Sequence, residues 1–369
     1  MLRTPDLIRK YNYPAEIHDV LTEDGYILEV HRIANPGKTP VYLQHGFVSS
    51  SGEFVLYGSK TSAAFLLHDA GYDVWMSNHR GNRYSKRHVK LKMSDPKFWD
   101  FTLTELGKYD VKATIDYIIN TTLFDKIHYV GNSQGNPVMV ILLDDKPEYS
   151  DKLISIQGLA PAVYFEHLTS PAMRFLLNLF MNNKAYFEIA GGFFFPNMVE
   201  LGYGPAIYTL CKDGTFTQQM CVEIIKLTVG PVTSGETNIT RLPVLFGHFP
   251  SGVSIKQALH MAQFAVTGEF KKYDYGEKEN LKVYGSKKPP FYDIKKTRVK
   301  YSIYHSSNDL LVVNKDVERF HSELPMPHMK YLCDDFGFNH ADFTACTHCD
   351  RFYKERVLPT MKIAENNNL

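Results

Sequence analysis

Residues 126–143, KIHYVGNSQGNPVMVILL, pass from a strand-forming run to a helix-forming one across a turn rich in glycine. KIHYV is short, apolar and rich in β-branched and aromatic residues, which marks a buried strand. From Pro137 to Leu143 the chain reads as a helix, with the proline near its first turn, where its missing N–H is no loss. With no loop between them, the two elements lie so close that a Cβ at Gly131 or Gly135 would strike a neighbour. This corner fits a chain in which strands feed directly into helices.

The same alternation runs along much of the sequence. EIHDVLTEDGYILEVHRI (16–33) reads as two alternating strands around the turn pair Asp24-Gly25. PVYLQHG (40–46) and YDVWMSN (72–78) are strand-like, with a helical stretch through Ala63, Ala64, Leu66 and Leu67 between them. Within 107–122, Val111, Ile115, Ile118 and Ile119 recur at helical spacing. LISIQGLAPAV (153–163), VKYSIYH (299–305) and MKYLCD (329–334) complete the set of strands. Strands alternating with helices imply an α/β fold with a mostly parallel sheet covered on both faces. Residues 164–297 break the rhythm with aromatic and apolar runs such as RFLLNLF (174–180) and GGFFFPN (191–197). A core from 1–163 and 298–369, with a mainly helical cap or lid inserted at 164–297, is expected.

Composition narrows the function. With 41 basic and 40 acidic side chains and a net charge of +1, nothing points to a nucleic-acid partner. No run of 18 or more apolar residues offers a membrane span. The first residues, MLRTPDLIRKYNYPAE, lack the apolar core of a signal peptide, so the chain is either cytosolic or without its leader here. Asn120 and Asn238 each begin an Asn-x-Thr sequon. Of five cysteines, Cys211 and Cys221 can close one loop. Cys346-Thr-His-Cys349, with Cys333 upstream, invites a metal site. One Cys-x-x-Cys without a second pair is a poor zinc signal, and structural or free thiols are expected.

Ser133 sits at the corner between KIHYV and its helix, the position of a nucleophile elbow, where a serine oxygen stands out at the carboxyl edge of the sheet. Gly-x-Ser-x-Gly alone arises by chance in about one chain in ten of this length, so its surroundings decide. A serine hydroxyl needs a base to take its proton and a third group to orient that base. In this fold the acid follows the serine and the histidine follows the acid. Asp309, in Ser306-Ser307-Asn308-Asp309, comes just past VKYSIYH, and His340, in Phe336-Gly337-Phe338-Asn339-His340, comes after MKYLCD. Asp334, Asp335 and Asp342 compete with Asp309 for the acid role. Two backbone N–H groups, of Phe47 in Gln44-His45-Gly46-Phe47 and of Gln134, are candidates for an oxyanion hole. His45, just before that hole, is expected to be structural. The chemistry needs neither metal nor cofactor.

TEDGYILEVHRI, LQHGFVSS, AGYDVWMSNHRGNRYS, KFWDF, KYDVKATIDYI, YVGNSQG, GLAPAV and NHADF occur in one order along nearly the whole chain. In that order they resemble the acid lipase family, the gastric and lysosomal acid lipases and their insect relatives, which have an α/β-hydrolase fold. The resemblance implies hydrolysis of lipid esters by Ser133, Asp309 and His340, with oxyanion donors at Phe47 and Gln134. It also implies a Cys211–Cys221 disulfide, a glycan on Asn238 and a secreted or lysosomal protein. Three departures stand out: Asn132 replaces the usual histidine before the serine, Phe47 a usual leucine, and Asn136-Pro137 a usual pair of threonines. Asn132 is expected to alter rate or specificity, and Asn136-Pro137 to shift the helix start. The expected substrate is a neutral lipid at a lipid–water interface, a triacylglycerol or sterol ester. A short-chain carboxylesterase and a non-catalytic lipid carrier on the same scaffold are the alternatives.

Overall fold

The computed structural model describes residues 2–190, 192–194, 199–232, 237–344 and 346–366. In chain order the strands are β1 (Ala15–Leu21), β2 (Tyr26–Ile33), β3 (Pro40–Gln44), β4 (Asp73–Met76), β5 (Arg87–His88), β6 (Ile127–Asn132), β7 (Leu153–Leu159), β8 (Phe193–Phe194), β9 (Val253–Ser254), β10 (Tyr301–His305) and β11 (Pro327–Leu332). The main sheet runs β1-β2-β4-β3-β6-β7-β10-β11, with β5 on β2. β1, β2 and β4 pair antiparallel, and every pair from β4 through β3, β6, β7 and β10 to β11 is parallel. This is an α/β-hydrolase sheet.

The parallel strands are nearly continuous apolar runs because both their faces are covered. Successive residues serve opposite faces. Tyr42, Trp75 and Tyr129 belong to one core cluster, with Ile115, Ile118 and Met139 from the helices Lys112–Thr122 and Gly135–Asp145. Their strand neighbours Val41, Leu43, Val74, Met76 and Val130 belong to the second, with Phe65, Phe352, Tyr353 and Met361.

The expected strands all occur, with ends shifted by a few residues. The helix expected within 107–122 begins with a π-helical stretch, Leu106–Val111, before turning α-helical at Lys112. The helix after the corner starts earlier than Pro137, at Gly135.

Between β7 and β10 the chain leaves the main sheet. Helices Pro171–Asn182, Lys184–Ala190, Gly204–Cys211, Gln218–Val229, Leu242–His248, Ile255–Thr267 and Glu277–Tyr284 follow, with β8 and β9 pairing as a two-stranded ribbon. They supply most of two further apolar clusters, one around Phe180, Leu259 and Tyr273, joined by Phe47 and Val48 of the β3 loop, and one around Cys211, Cys221 and Leu242. Of the aromatic run GGFFFPN, residues 191 and 195–197 lie outside the described residues.

Candidate active site

The loops at the carboxyl ends of β3, β6, β10 and β11 converge. β6 stops at Asn132 and the next helix begins at Gly135, so Ser133 is left in the corner with φ of +49°. A non-glycine residue there is strained, and such strain persists only where the surroundings impose it. Here Ser133 N–H donates to the Leu159 carbonyl at 2.9 Å. A Cβ on Gly135 would stand 2.5 Å from the Gln44 carbonyl oxygen, and one on Gly131 2.9 Å from the Gly135 backbone. A side chain at Gly135 would push the corner off β3, and one at Gly131 would push the helix start off β6.

His340 joins the serine to an acid. Its Nε2 lies 2.9 Å from Ser133 Oγ and its Nδ1 lies 2.7 Å from Asp309 Oδ2. The other Asp309 oxygen accepts from the N–H groups of Leu311 and Val312, both at 2.8 Å, so the carboxylate is held in place from its own loop. All three side chains are buried. Hydrogen bonding fixes an imidazole with its proton on Nδ1 and a lone pair facing the hydroxyl, the arrangement needed to take a proton from Ser133. The competing acids are engaged elsewhere: Asp334 accepts from Ser307, Asp335 pairs with Arg356, and Asp342 accepts from Thr237 and the Asn339 N–H.

The β3 loop lies against the serine, for a Cβ on Gly46 would stand 3.1 Å from Ser133 Cβ. Among the described residues, none accepts a hydrogen bond from the Phe47 or Gln134 N–H. Two free amides therefore belong to the segments that meet at the serine, one on the β3 loop and one at a helix start, where negative charge is drawn to unpaired N–H groups. Val48, next to Phe47, also has a positive φ (+51°), and its carbonyl accepts from Ser251 N–H at 2.6 Å. His45 is structural. Its Nδ1 lies 2.8 Å from the Gly46 carbonyl and its Nε2 accepts from the His79 N–H, while burial, with His79 nearby, pushes its pKa down to about 3.

Three side chains of the site were missed from the sequence. Asn136 Nδ2 donates to the carbonyls of Gly131, Ser133 and Leu159, and its Oδ1 accepts from Tyr301, so this residue binds the corner from behind. Gln257 Nε2 donates to Gln134 Oε1 at 2.9 Å. Glu53 accepts from Asn132 Nδ2 at 3.1 Å and from the Gly46 N–H. Two departures noted in the sequence, Asn132 and Asn136-Pro137, carried the signal, for Asn132 bonds to Glu53 and Asn136 ties the corner, a role the sequence did not show.

The cysteines fall into two bridges and a thiol. Cys211 is bonded to Cys221 and Cys346 to Cys349, while Cys333 is buried and free. Among the described residues no three His, Cys, Asp or Glu side chains are grouped to hold a metal. None of the described helices is long and apolar enough to cross a membrane. Asn120 is exposed, and Asn238 Oδ1 accepts from both the N–H and the hydroxyl of Thr240.

Known proteins share this design. Residues 4–58 match the partial α/β-hydrolase lipase region, and residues 39–195 match the α/β-hydrolase fold. Lipase 1 of Drosophila melanogaster is 38% identical over 99% of this chain and 81% of its own length. The gastric triacylglycerol lipase of Mus musculus is 33% identical over 93% of this chain and 87% of its own. The chain belongs to the α/β-hydrolase lipases. Like its family, it is a hydrolase of carboxylic esters in lipids. An esterase from Rhodococcus sp. ECU1013 shares the fold at 12% identity, with a TM-score of 0.51 over 94% of this chain and 98% of that one.

Proposed function

We propose that this lipase cleaves neutral lipid esters, triacylglycerols or sterol esters, through an acyl-enzyme on Ser133. The hydrogen-bonded line from Ser133 through His340 to Asp309 carries the proposal. His340 takes the serine proton as Oγ attacks the ester carbonyl, and the N–H groups of Phe47 and Gln134 receive the oxygen as it gains charge. His340 then returns the proton to the leaving alcohol. A water, deprotonated by the same histidine, releases the fatty acid and restores Ser133. Asp309 holds the tautomer throughout.

Residues 164–297 form a cap over the 1–163 and 298–369 core in this proposal. Its helices and turns leave large apolar side chains in solvent, among them Phe175, Tyr186, Ile189, Phe216 and Met220 at 65–98% exposure. Apolar surface left open to water on one segment suits contact with a lipid surface. Two disulfides support a secretory route, because thiols stay reduced in the cytosol. On that route Asn238 and the exposed Asn120 would be glycan acceptors, and the protein would reach the lysosome or the outside.

Replacement of Ser133 by alanine tests the mechanism: cleavage of a long-chain ester should vanish, and retained cleavage would end it. A chain-length series on the unaltered protein tests the substrate class. Oleate esters should be preferred over acetate or butyrate, and the reverse order would make it a short-chain esterase.

A further inference from the structure

Glu53 occupies a position that the serine–histidine–aspartate relay does not require. It lies in the 3-10 turn Ser51–Phe54, beyond the β3 loop, and its carboxyl points back into that loop. Both of its oxygens lie 3.3 Å from Gly46 N, and Oε1 also accepts from Asn132 Nδ2 at 3.1 Å. The Ser49 side chain bonds to it as well. Gly46 is the residue before Phe47, and Asn132 is the residue before Ser133. One carboxyl group therefore grips the two backbone segments that must stay in register for an oxyanion to meet both amides. β3 and β6 are neighbours in the sheet, paired up to Gln44 and Gly131, and beyond those residues their hydrogen-bonded ladder ends. Glu53 bridges them where the ladder stops.

Its electrical surroundings are uneven. The ionisable groups that face it are His340, from the loop after β11, and Tyr353, from the C-terminal helices. Burial keeps Tyr353 neutral well above the usual phenol range. Among the described residues, no lysine or arginine shares the carboxyl. As a residue Glu53 keeps some solvent contact, yet burial of its carboxyl pushes the pKa up to about 7, against the pull of Ser49, Asn132, Gly46 and His340. Between about pH 6 and 8 the group changes charge beside the histidine that must itself cycle between neutral and protonated.

Resting on the serine mechanism proposed above, we propose that Glu53 is a positioning residue for ester cleavage. It ties the Ser133 corner to the Phe47 loop and, when ionised, favours the imidazolium that forms on His340. The two effects separate by variant. Glu53→Gln keeps an oxygen to accept from Gly46 and Asn132 but loses the charge. Glu53→Ala loses both.

The test is the pH profile of kcat/KM on a soluble short-chain ester, with fluorophosphonate labelling to count competent sites. Glu53→Gln should label fully but turn over at its plateau a few-fold more slowly, because the charge that favours the imidazolium on His340 is gone. Its acidic limb should move to lower pH by roughly half a unit, because a negative charge near His340 has gone and the neutral imidazole persists further into acid. Glu53→Ala should lose about tenfold in kcat with little change in KM, the mark of misplaced groups rather than weakened binding. A Glu53→Gln profile that superimposes on the original overturns the proposal, whether or not the alanine variant folds. Ser133→Ala, run alongside, separates the two ideas. Residual turnover there would remove the serine mechanism, whereas a dead Ser133→Ala with an unshifted Glu53→Gln removes only the role of Glu53.

Discussion

Gln257 donates its side-chain N–H to Gln134 Oε1 at 2.9 Å, across 123 residues of sequence. Gln257 lies in the helix Ile255–Thr267, whose first turn is capped by Ser254, and Gln134 is the residue after the corner serine. The helix of the inserted segment therefore holds the side chain of a residue whose backbone N–H stands free beside Ser133. Both glutamines are buried, so removing one partner leaves the other without its bond. Gln257→Ala should lower the unfolding free energy by about 1–3 kcal/mol, the cost of one orphaned buried polar group. It should also reduce kcat on a long-chain ester several-fold. Steady-state kinetics with a melting curve check both, and unchanged kcat would show that the segment does not steady the Gln134 amide.

The Asp309 carboxylate makes three hydrogen bonds, two to its own loop and one to His340. Asparagine in its place keeps an oxygen for the Leu311 and Val312 N–H groups, so the fold should survive. Its amide N–H would face Nδ1 and force the imidazole proton onto Nε2, where it would point at Ser133. With the lone pair gone from Nε2, kcat should fall by about 10⁴. An Asp309→Asn protein that melts normally and retains more than a hundredth of the original kcat would contradict the proton relay.

Gly135 has backbone on its far side. A methyl group would lie 2.5 Å from the Gln44 carbonyl oxygen, which no rotamer change can relieve. Gly135→Ala should therefore push the Gly135–Asp145 helix away from β3, at roughly 1–3 kcal/mol of stability. Because Gln134 is the cap of that helix, activity should fall by more than stability alone explains. Fluorophosphonate labelling of protein that is still folded measures this, and full-rate labelling would show that the corner tolerates the shift.

What the sequence made legible follows from how each feature is written in it. The main strands and the corner are local, carried by runs of β-branched residues and by glycines that leave no room for a loop. Asp309 and His340 stood out as candidates because each lies in the loop after a strand of the parallel sheet, and the structure brings both into line with Ser133. The contacts of Glu53 with Asn132 and of Gln257 with Gln134 span 79 and 123 residues and belong to no periodic pattern. β5, β8 and β9 have two residues each, too few to alternate. The π-helical stretch at Leu106–Val111 keeps the apolar spacing of an α-helix closely enough to be hidden within it. The sequence predicts structural or free thiols at Cys333, Cys346 and Cys349 but not the bridge from Cys346 to Cys349, because a paired and an unpaired cysteine are written with the same letter.

Histidine burial sets the response of the fold to acid. Burial pushes His45, with help from the charge of His79, and His248, with help from Arg83, down to about 3, and His260 down to about 4, from an ordinary 6.5. Burial also lowers His31, His79 and His128. Below pH 6.5 the unfolded chain binds protons at these sites that the folded chain refuses, so stability must fall with pH, by roughly 1.4 kcal/mol per pH unit for each such site. Glu53 acts oppositely. Its folded pKa of about 7 exceeds the ordinary 4.5, so between those values the folded chain holds the extra proton and gains stability as pH falls. One carboxyl against three strongly shifted histidines leaves a net excess of at least about two protons on the unfolded chain between pH 6 and 4.5, to which His31, His79 and His128 add. The melting temperature should therefore drop steadily from pH 7 to pH 4.5. His260→Gln, which removes one of these sites, should make that slope shallower by about one proton. Melting curves across this range decide it: a temperature that stays level or climbs toward acid would mean that the buried imidazoles accept protons in the folded state.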